Sequence, residues 1–458
     1  MGRLFLCPES GALRRKCFAL KSAAPVADVD LVAVQERFKM LAPLALRDFR
    51  LLWLGMTVSL LGDGIFLVAI AWQVYTLWDL PSALAMVGLA MSVPQVLFLL
   101  VGGVVADRFD RRRVMLCADI VRGLAIAAIG VLSVTGSLLL WHVTVLAAAY
   151  GVGSAFFGPA FDAIVPDIVP PEQLAAANSL DQFVRPTALR LAGPALGGVV
   201  ILAVGSGWAF IVDGCTFAVS VVSLLLMNSH PIERDGESQS ALREIREGFA
   251  YVRAHTWLWG TFAAATIAYL LFMGPTEVLL PFLVKNQLGG TSRTLGFVFA
   301  SGGVGAIGAA LIMGQSGIPR RFITFMYVAW TFATLAVAGY GLARVPWQLM
   351  AACLMCNGLE TAGTIVWATT KHRLVPGSLL GRVASFDWFI SVGLVPLSFA
   401  LTAPVAATIG ARATLVVAGV LGAAVTFAAM FLPGMRRVER NAPLLDPKHS
   451  LDHMWIGV

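Results

Sequence analysis

Three acidic residues stand where acids are costly. Asp63 lies between glycines near the centre of an apolar run, Glu360 near the centre of another, and Glu277 in the outer half of a third. A carboxyl group held away from water binds its proton more tightly than one in solution. Such a group can exchange a proton for a bound molecule near neutral pH. Asp63, Glu277 and Glu360 are therefore the candidate sites for proton coupling or substrate contact. Asp119 and Arg122 are three residues apart, so they share a helix face and form a structural ion pair. Asp181, Arg185 and Arg190 crowd the first part of another run, Asp162 lies nearby, and Asp213, at the start of a further run, reads as a helix-end contact. The six histidines are dispersed without metal-ligand spacing, so no metal site is expected. There is no phosphate-binding G-x-x-x-x-G-K-[ST] loop, and no catalytic constellation. The pattern does not fit an enzyme, and no cofactor is expected beyond an ion gradient.

The elements that must position these residues are set by composition. The chain has 458 residues, of which 58% are hydrophobic and only 13% charged, with mean hydropathy +0.81. Soluble domains carry about 25% charged residues, so too little polar surface exists here to cover a soluble globule. Backbone groups in lipid must be satisfied within their own segment, which makes the spans helices. Twelve apolar runs are found at about 51–78, 84–106, 114–135, 139–162, 176–204, 207–228, 257–284, 294–316, 322–343, 346–370, 383–408 and 412–432. The fold class expected is an all-α integral membrane protein.

The domains read as a polar tail (1–40), a six-helix bundle (41–228), a linker (229–256), a second six-helix bundle (257–432) and a second tail (433–458). In the linker, Leu242, Ile245, Phe249 and Val252 recur at helical spacing, predicting a helix on the membrane surface or on the bundle ends. The run from Met40 reads like a natural start, which leaves open whether residues 1–39 belong to the protein. No signal peptide or lipid anchor is read. Cys353 and Cys356 form a C-x-x-C inside an apolar helix and read as packing residues.

Charge fixes the expected orientation. With the N-terminus inside, 26 of the 33 Lys and Arg residues fall in inner connections, 4 in outer ones and 3 within spans. This asymmetry places both termini in the cytoplasm of a multi-pass plasma-membrane protein. It also explains the net charge of +7 without nucleic-acid binding. The partners expected are a small-molecule substrate and the lipid bilayer, with the chain acting as a monomer.

The two halves are related. At a shift of 206 residues, Val169, Pro170, Leu174, Ser179, Asp181 and Phe183 match Val375, Pro376, Leu380, Ser385, Asp387 and Phe389. Asp181 and Asp387 thereby become symmetric candidates for a cap or gate. Parallel halves of this kind are a known transporter architecture.

One loop is more specific than any span. Gly103-Val-Val-Ala-Asp107-Arg108-Phe-Asp-Arg111-Arg112-Arg113 is a charged hairpin between two apolar runs. Gly103 is expected to let two helices approach closely. Asp107 sits at a helix C-terminus, where its charge needs a partner. The stretch resembles the signature loop of the major facilitator superfamily, G-x-x-x-D-[RK]-x-G-[RK]-[RK], with Asp110 in place of the usual glycine. The resemblance implies a fold of twelve helices in two pseudo-symmetric bundles. It also implies that Gly103, Asp107, Arg108, Arg111 and Arg112 latch the two halves in one state.

A second element, Gly193-Pro194-Ala-Leu-Gly197-Gly198, resembles the end of the motif associated with antiporters of that superfamily, without its upstream glycines. Arg190 lies just before it, where it can bond a freed carbonyl or an acidic neighbour. The opening Leu46-Arg47-Asp48-Phe49-Arg50, followed by Gly62-Asp63-Gly64, is similar to the branch containing bacterial macrolide and siderophore exporters. The likeness implies secondary active export of small amphipathic molecules by alternating access and proton antiport. A lysophospholipid flippase and a non-transporting membrane sensor or assembly partner are the alternatives.

Overall fold

The computed structural model describes residues 39–228 and 241–441. Residues 1–38, 229–240 and 442–458, which make up most of the two tails and the first part of the charged linker, lie outside the described residues. Twelve of the described helices are long and apolar enough to cross a membrane, and among the described residues there is no strand.

The first half consists of α1 (Arg47–Leu77), α2 (Pro81–Arg108), α3 (Arg111–Val134), α4 (Leu140–Ile168), α5 and α6 (Ser206–Leu226). Helix α5 is composite, with α-helical Leu174–Val184, π-helical Arg185–Ala192 and α-helical Gly193–Val204. A surface helix, α7 (Ala241–Ala254), precedes the second half. That half consists of α8 (Thr256–Phe282, continued as a π turn over Leu283–Gln287), α9 (Ser292–Ser316), α10 (Phe322–Leu342), α11 (Pro346–Leu374), α12 and α13 (Ala411–Ala429). Helix α12 was expected to be continuous but is broken at Leu394 into Gly377–Gly393 and Val395–Ile409. Pro396, which has no N–H to donate, sits in the first turn of the second piece.

Local chemistry sets several ends. Pro81 and Pro346 open α2 and α11, where a missing N–H costs nothing. Asp110 caps α3, its side chain accepting from the Arg112 N–H at 3.0 Å. This explains the aspartate where the signature usually has glycine: φ there is −51°, open to any residue. The joints α5–α6 and α12–α13 are single glycines at corresponding places. Gly205 and Gly410 take φ of 92° and 88°, a region that favours glycine.

The connections after α2, α4, α6, α9 and α11 define one face of the bundle, called here the basic face because most of the Lys and Arg residues lie on it. Near the opposite face the halves share one hydrophobic core, in which Ile65, Tyr75 and Ile201 pack with Val278, Leu279, Leu295 and Val298. Near the basic face the core divides. One cluster, including Phe49, Met115, Phe161 and Leu224, belongs to the first half. The other, including Trp257, Met326, Val366 and Trp367, belongs to the second.

Hydrogen bonds agree with this asymmetry. Near the opposite face the Tyr75 hydroxyl donates to the Val278 carbonyl at 2.6 Å. Asn286 donates to Asp79, also at 2.6 Å. Helix α7 packs on the end of the second half, where Arg382 bonds Glu247 at 2.5 Å and Phe249 meets Phe386.

Small residues decide where backbones touch. At the α1–α5 crossing, a Cβ on Gly64 would stand 2.7 Å from the Leu189 carbonyl oxygen and 2.9 Å from the Gly193 Cα. Replacing Gly64 with valine is expected to destabilise the protein by about 1–3 kcal/mol, the usual range for overpacking. A lowered thermal unfolding midpoint in detergent would register it. An unchanged midpoint would mean that the helices separate without loss.

Candidate functional site

A cavity of about 390 Å³ lies chiefly within the second half and is bordered by α5 of the first. Its walls come from α8, α9, α10 and α11, with Leu67, Leu189, Arg190 and Pro194 closing the side toward the first half. Aromatic rings dominate, among them Tyr269, Phe272, Phe299, Tyr327, Trp330 and Trp367. Edge-on contacts hold Trp367 against Trp257, Phe262 and Trp330, with centroids 5.8–6.4 Å apart. That packing fixes a flat, polarisable wall.

The polar groups converge on this wall. Glu277, Glu360 and Asp387 line it, with Arg190, Asn357 and Thr276. Arg190 crosses from the first half to donate to the Asn357 Oδ1 at 3.0 Å, and stands 3.7 Å from a Glu360 oxygen. Of the two partners open to Arg190 from sequence, a freed carbonyl or an acidic neighbour, the structure has the acid, Glu360, and adds the Asn357 amide oxygen. Glu277 is exposed to the cavity and makes no ion pair within 4 Å among the described residues. Arg190 is the cation that faces it.

Asp387 accepts from the Trp367 indole at 3.1 Å and from Lys371. Across the pseudo-repeat, Asp181 accepts from Arg185 at 2.7 Å. In both halves the cation stacks on an aromatic ring. Arg185 lies 5.4 Å from the Phe161 centroid and Lys371 lies 5.1 Å from that of Trp367. Phe161 and Trp367 are themselves 206 residues apart, the same shift that relates the two aspartates. The matched carboxylates are thus matched cation–π sites as well. The sequence contained this signal, but the donors sit at unrelated positions and hid it.

Helix α5 presents two working faces. Gly193 and Gly197 pack on α1, where added Cβ atoms would approach Leu61, Gly64 and Ile65 backbone atoms at 2.7–3.1 Å. Gly198 turns the other way. A Cβ there would lie 2.7 Å from the Ser292 carbonyl oxygen and 3.1 Å from the Gly296 Cα of α9, in the other half. The Gly-Pro element therefore joins an intra-half contact and an inter-half contact on one helix.

The signature loop is arranged differently from expectation at one point. Nothing lies within 4 Å of a Cβ built on Gly103, so it is not the close approach. Gly102 is, since a side chain there would strike the Ala155 carbonyl of α4. Neighbouring glycines point about 100° apart on a helix, and spacing alone does not choose between them. Arg111 bonds the Ala163 carbonyl at 3.1 Å and pairs with Asp167. Arg112 bonds the Leu224 and Leu225 carbonyls at 2.6 and 2.7 Å. Both arginines cap helix ends within the first half, where cations are favoured. Arg108 is exposed, and the Asp107 side chain lies outside the described residues.

Asp63 does not reach the cavity. It is buried among α1, α3, α4 and α6, where the Tyr150 hydroxyl donates to it at 2.7 Å. Asp119 pairs with Arg122 as their spacing requires, and also accepts from Ser220 at 2.6 Å. Asp213 overturns the sequence reading. A helix-end contact was expected, yet it is fully buried eight residues into α6. Not every aromatic ring of the described spans faces the chamber, although Trp367 does. Phe157 instead covers the Arg122 guanidinium at 4.3 Å. Cys353 is buried and Cys356 borders the cavity, both as free thiols.

Comparison with known proteins agrees with this geometry. Residues 38–451 match the family described as transmembrane secretion effector. Macrolide efflux protein A of Streptococcus pyogenes is 22% identical, over 85% of this chain and 97% of that protein. Enterobactin exporter EntS of Escherichia coli O1:K1 / APEC is 27% identical, over 73% of this chain and 79% of that protein. Among solved structures, a bacterial homologue of the human lysosomal transporter Spinster superposes with TM-score 0.59 at 17% identity, covering 84% of this chain and 97% of that one. These relatives are transporters and not enzymes. The chain belongs to the transmembrane secretion effector family of major facilitator transporters.

Proposed function

We propose that this protein exports small amphipathic molecules, of the drug or siderophore class, by alternating access and proton antiport. The observation that carries the reading is the cavity, an aromatic chamber holding a carboxylate, Glu277, that makes no ion pair within 4 Å among the described residues. The basic face is taken as cytoplasmic, given the distribution of Lys and Arg. The divided core near that face then corresponds to a chamber approached from the cytoplasm and closed toward the outside. Rocking the halves about the α5–α9 contact would reverse this. The two relatives named for their substrates are a macrolide efflux protein and an enterobactin exporter, which supports small molecules moving outward.

Charge narrows the class. Three carboxylates face two cations around the chamber, Arg190 engaging Glu360 and Lys371 engaging Asp387. Glu277 is left to meet the substrate or a proton. A protonated amine beside aromatic faces suits that vacancy better than an anionic ligand. The signature arginines, with their contacts inside one half, are free to exchange partners when the halves close on the basic face.

The direct test is proton movement in inverted vesicles containing the purified protein, challenged with macrolides, dyes, siderophores and lysolipids. Substrate-triggered proton efflux from an acidified lumen is the expected result. Substrate movement without proton flux would refute antiport and favour a uniporter or lipid flippase. Glu277→Gln is expected to weaken binding of amine-bearing substrates about tenfold to a hundredfold. That corresponds to roughly 1.5–3 kcal/mol for a hydrogen bond to a charged group. Uncharged analogues should bind the variant as they bind wild type, and an equal loss for both would remove the charge argument. Gly198→Leu should prevent the close α5–α9 contact. Outer-facing cysteine probes would then label more readily, and unchanged labelling would show that the contact is dispensable.

A further inference from the structure

The first half holds a polar cluster that the chamber does not touch. Asp63 of α1, Asp119 and Arg122 of α3, Tyr150 of α4 and Asp213 of α6 gather in its interior, and none of them lines the chamber. Asp119 and Asp213 are 0% exposed, and Asp63 is 9% exposed. Asp119 is fully engaged by Arg122 and Ser220. The Arg122 guanidinium is enclosed by the Phe157 and Phe217 rings at 4.3 and 4.8 Å.

Asp213 is less well served. The Thr216 hydroxyl donates to the Asp213 backbone carbonyl at 2.7 Å and lies 3.1 Å from the carboxyl Oδ1, while the other oxygen, Oδ2, is buried with no hydrogen-bond partner among the described residues. Its side chain lies directly on α1. A Cβ at Gly62 would strike both Asp213 Oδ1 and Thr216 Oγ1. The glycine beside Asp63 thus makes room for Asp213. The groups facing this pair are Arg122 and Asp119 from α3 and Tyr150 from α4.

Counting charge makes the point. Three carboxyl groups meet one guanidinium, and Asp119 already holds it. If Asp63 and Asp213 were both ionised, two negative charges would lie in the bilayer interior without a cation. Each such charge is costly in hydrocarbon, and the two repel one another. An ionised Asp213 would also leave a charged oxygen buried without a donor. The Tyr150 hydroxyl donates to Asp63, and the Thr216 oxygen, whose hydrogen serves the Asp213 backbone carbonyl, is placed to accept from a protonated Asp213 carboxyl.

We propose that Asp63 and Asp213 form a two-carboxyl proton site in the first half, separate from the substrate chamber, with Asp213 holding a proton at neutral pH. Its role in transport rests on the antiport reading, but its existence does not. The chamber and the proton site then occupy opposite halves, and α5 and α1 are the elements between them. Neither Glu277 nor Glu360 need carry the transported proton in this arrangement.

The test uses the full-length protein in detergent without substrate. Its protons are counted as pH rises, and the infrared C=O stretch of protonated carboxyl groups is monitored. Wild type is expected to show that band at neutral pH and lose it at alkaline pH. Asp213→Asn should remove one proton from the count and weaken the band, whereas Glu277→Gln should leave the Asp213 contribution in place. Asparagine mimics the neutral acid, so the variant should fold and keep its stability at high pH. Wild type should lose stability there, because a group protonated when folded and ionised when unfolded favours folding only at lower pH. An unchanged count and band in Asp213→Asn would overturn the proposal. So would sodium binding at neutral pH without proton release, which would mark a cation site in place of a bound proton. Should Asp213→Asn not fold, Asp63→Asn decides: with the neighbouring negative charge gone the Asp213 band should disappear at a lower pH than in wild type, and an unmoved band would overturn the proposal. A band that persists while vesicle antiport is absent would sink the antiport reading and leave the pair standing. Antiport without the band would do the reverse.

Discussion

Hydrocarbon offers no hydrogen-bonding partner, so each polar group inside the spans must find one in the protein or stay neutral. The backbone meets this demand by forming twelve helices. The side chains meet it by gathering. Asp119 and Arg122 satisfy one another and draw in Ser220. Arg190 reaches Asn357 across the boundary between the halves. Asp387 collects an indole and an ammonium. Packing obeys the same demand. Lipid supplies little hydrophobic drive between helices, so close backbone contact at glycine does much of the work. Gly64, Gly193 and Gly198 stand at such contacts.

Helix α5 brings these themes together. Its π-helical stretch, Arg185–Ala192, carries Arg190 and leads directly into Gly193 and Pro194. A π turn widens the helix and shifts the phase of the residues beyond it, and such turns recur at functional positions. The cavity-facing arginine and the two-sided glycine surface thus sit on either side of a change in helical phase. One stretch of chain delivers a charge to the chamber, a seam to α1 and a seam to α9.

The sequence made the architecture plain because the bilayer imposes a simple pattern. Apolar runs of the right length cannot be read many other ways, and all twelve appear in the structure close to their expected bounds. The Asp119–Arg122 pair was equally legible, since three-residue spacing on a helix leaves little choice. What spacing did not convey was which helix each face meets. Asp63, Glu277 and Glu360 looked alike as isolated acids, yet the first lies in a closed cluster and the other two line the chamber. Gly102 and Gly103 are neighbours, and only one faces α4. Asp213 was misjudged because an acid near the start of an apolar run looks like an end, although the helix begins at Ser206. These are questions of rotation about the helix axis and of long-range contact, which a linear pattern does not encode.

The paired aspartates carry a consequence for how the repeat has diverged. In the first half, Arg185 and Asp181 lie on the same helix, four residues apart. That ion pair travels with its helix, and the contact reaching a neighbour is the stacking of Arg185 on Phe161 of α4. In the second half, Lys371 belongs to α11 and Asp387 to α12, so the same chemistry becomes a strut between neighbouring helices. The acceptor and the aromatic platform have been inherited in both copies, while the donor has moved to another element. An internal bond has thereby been converted into a tie between two parts. The duplicated bundle is symmetric in the carboxylate and ring it kept, and asymmetric in whether the ion pair itself joins two helices.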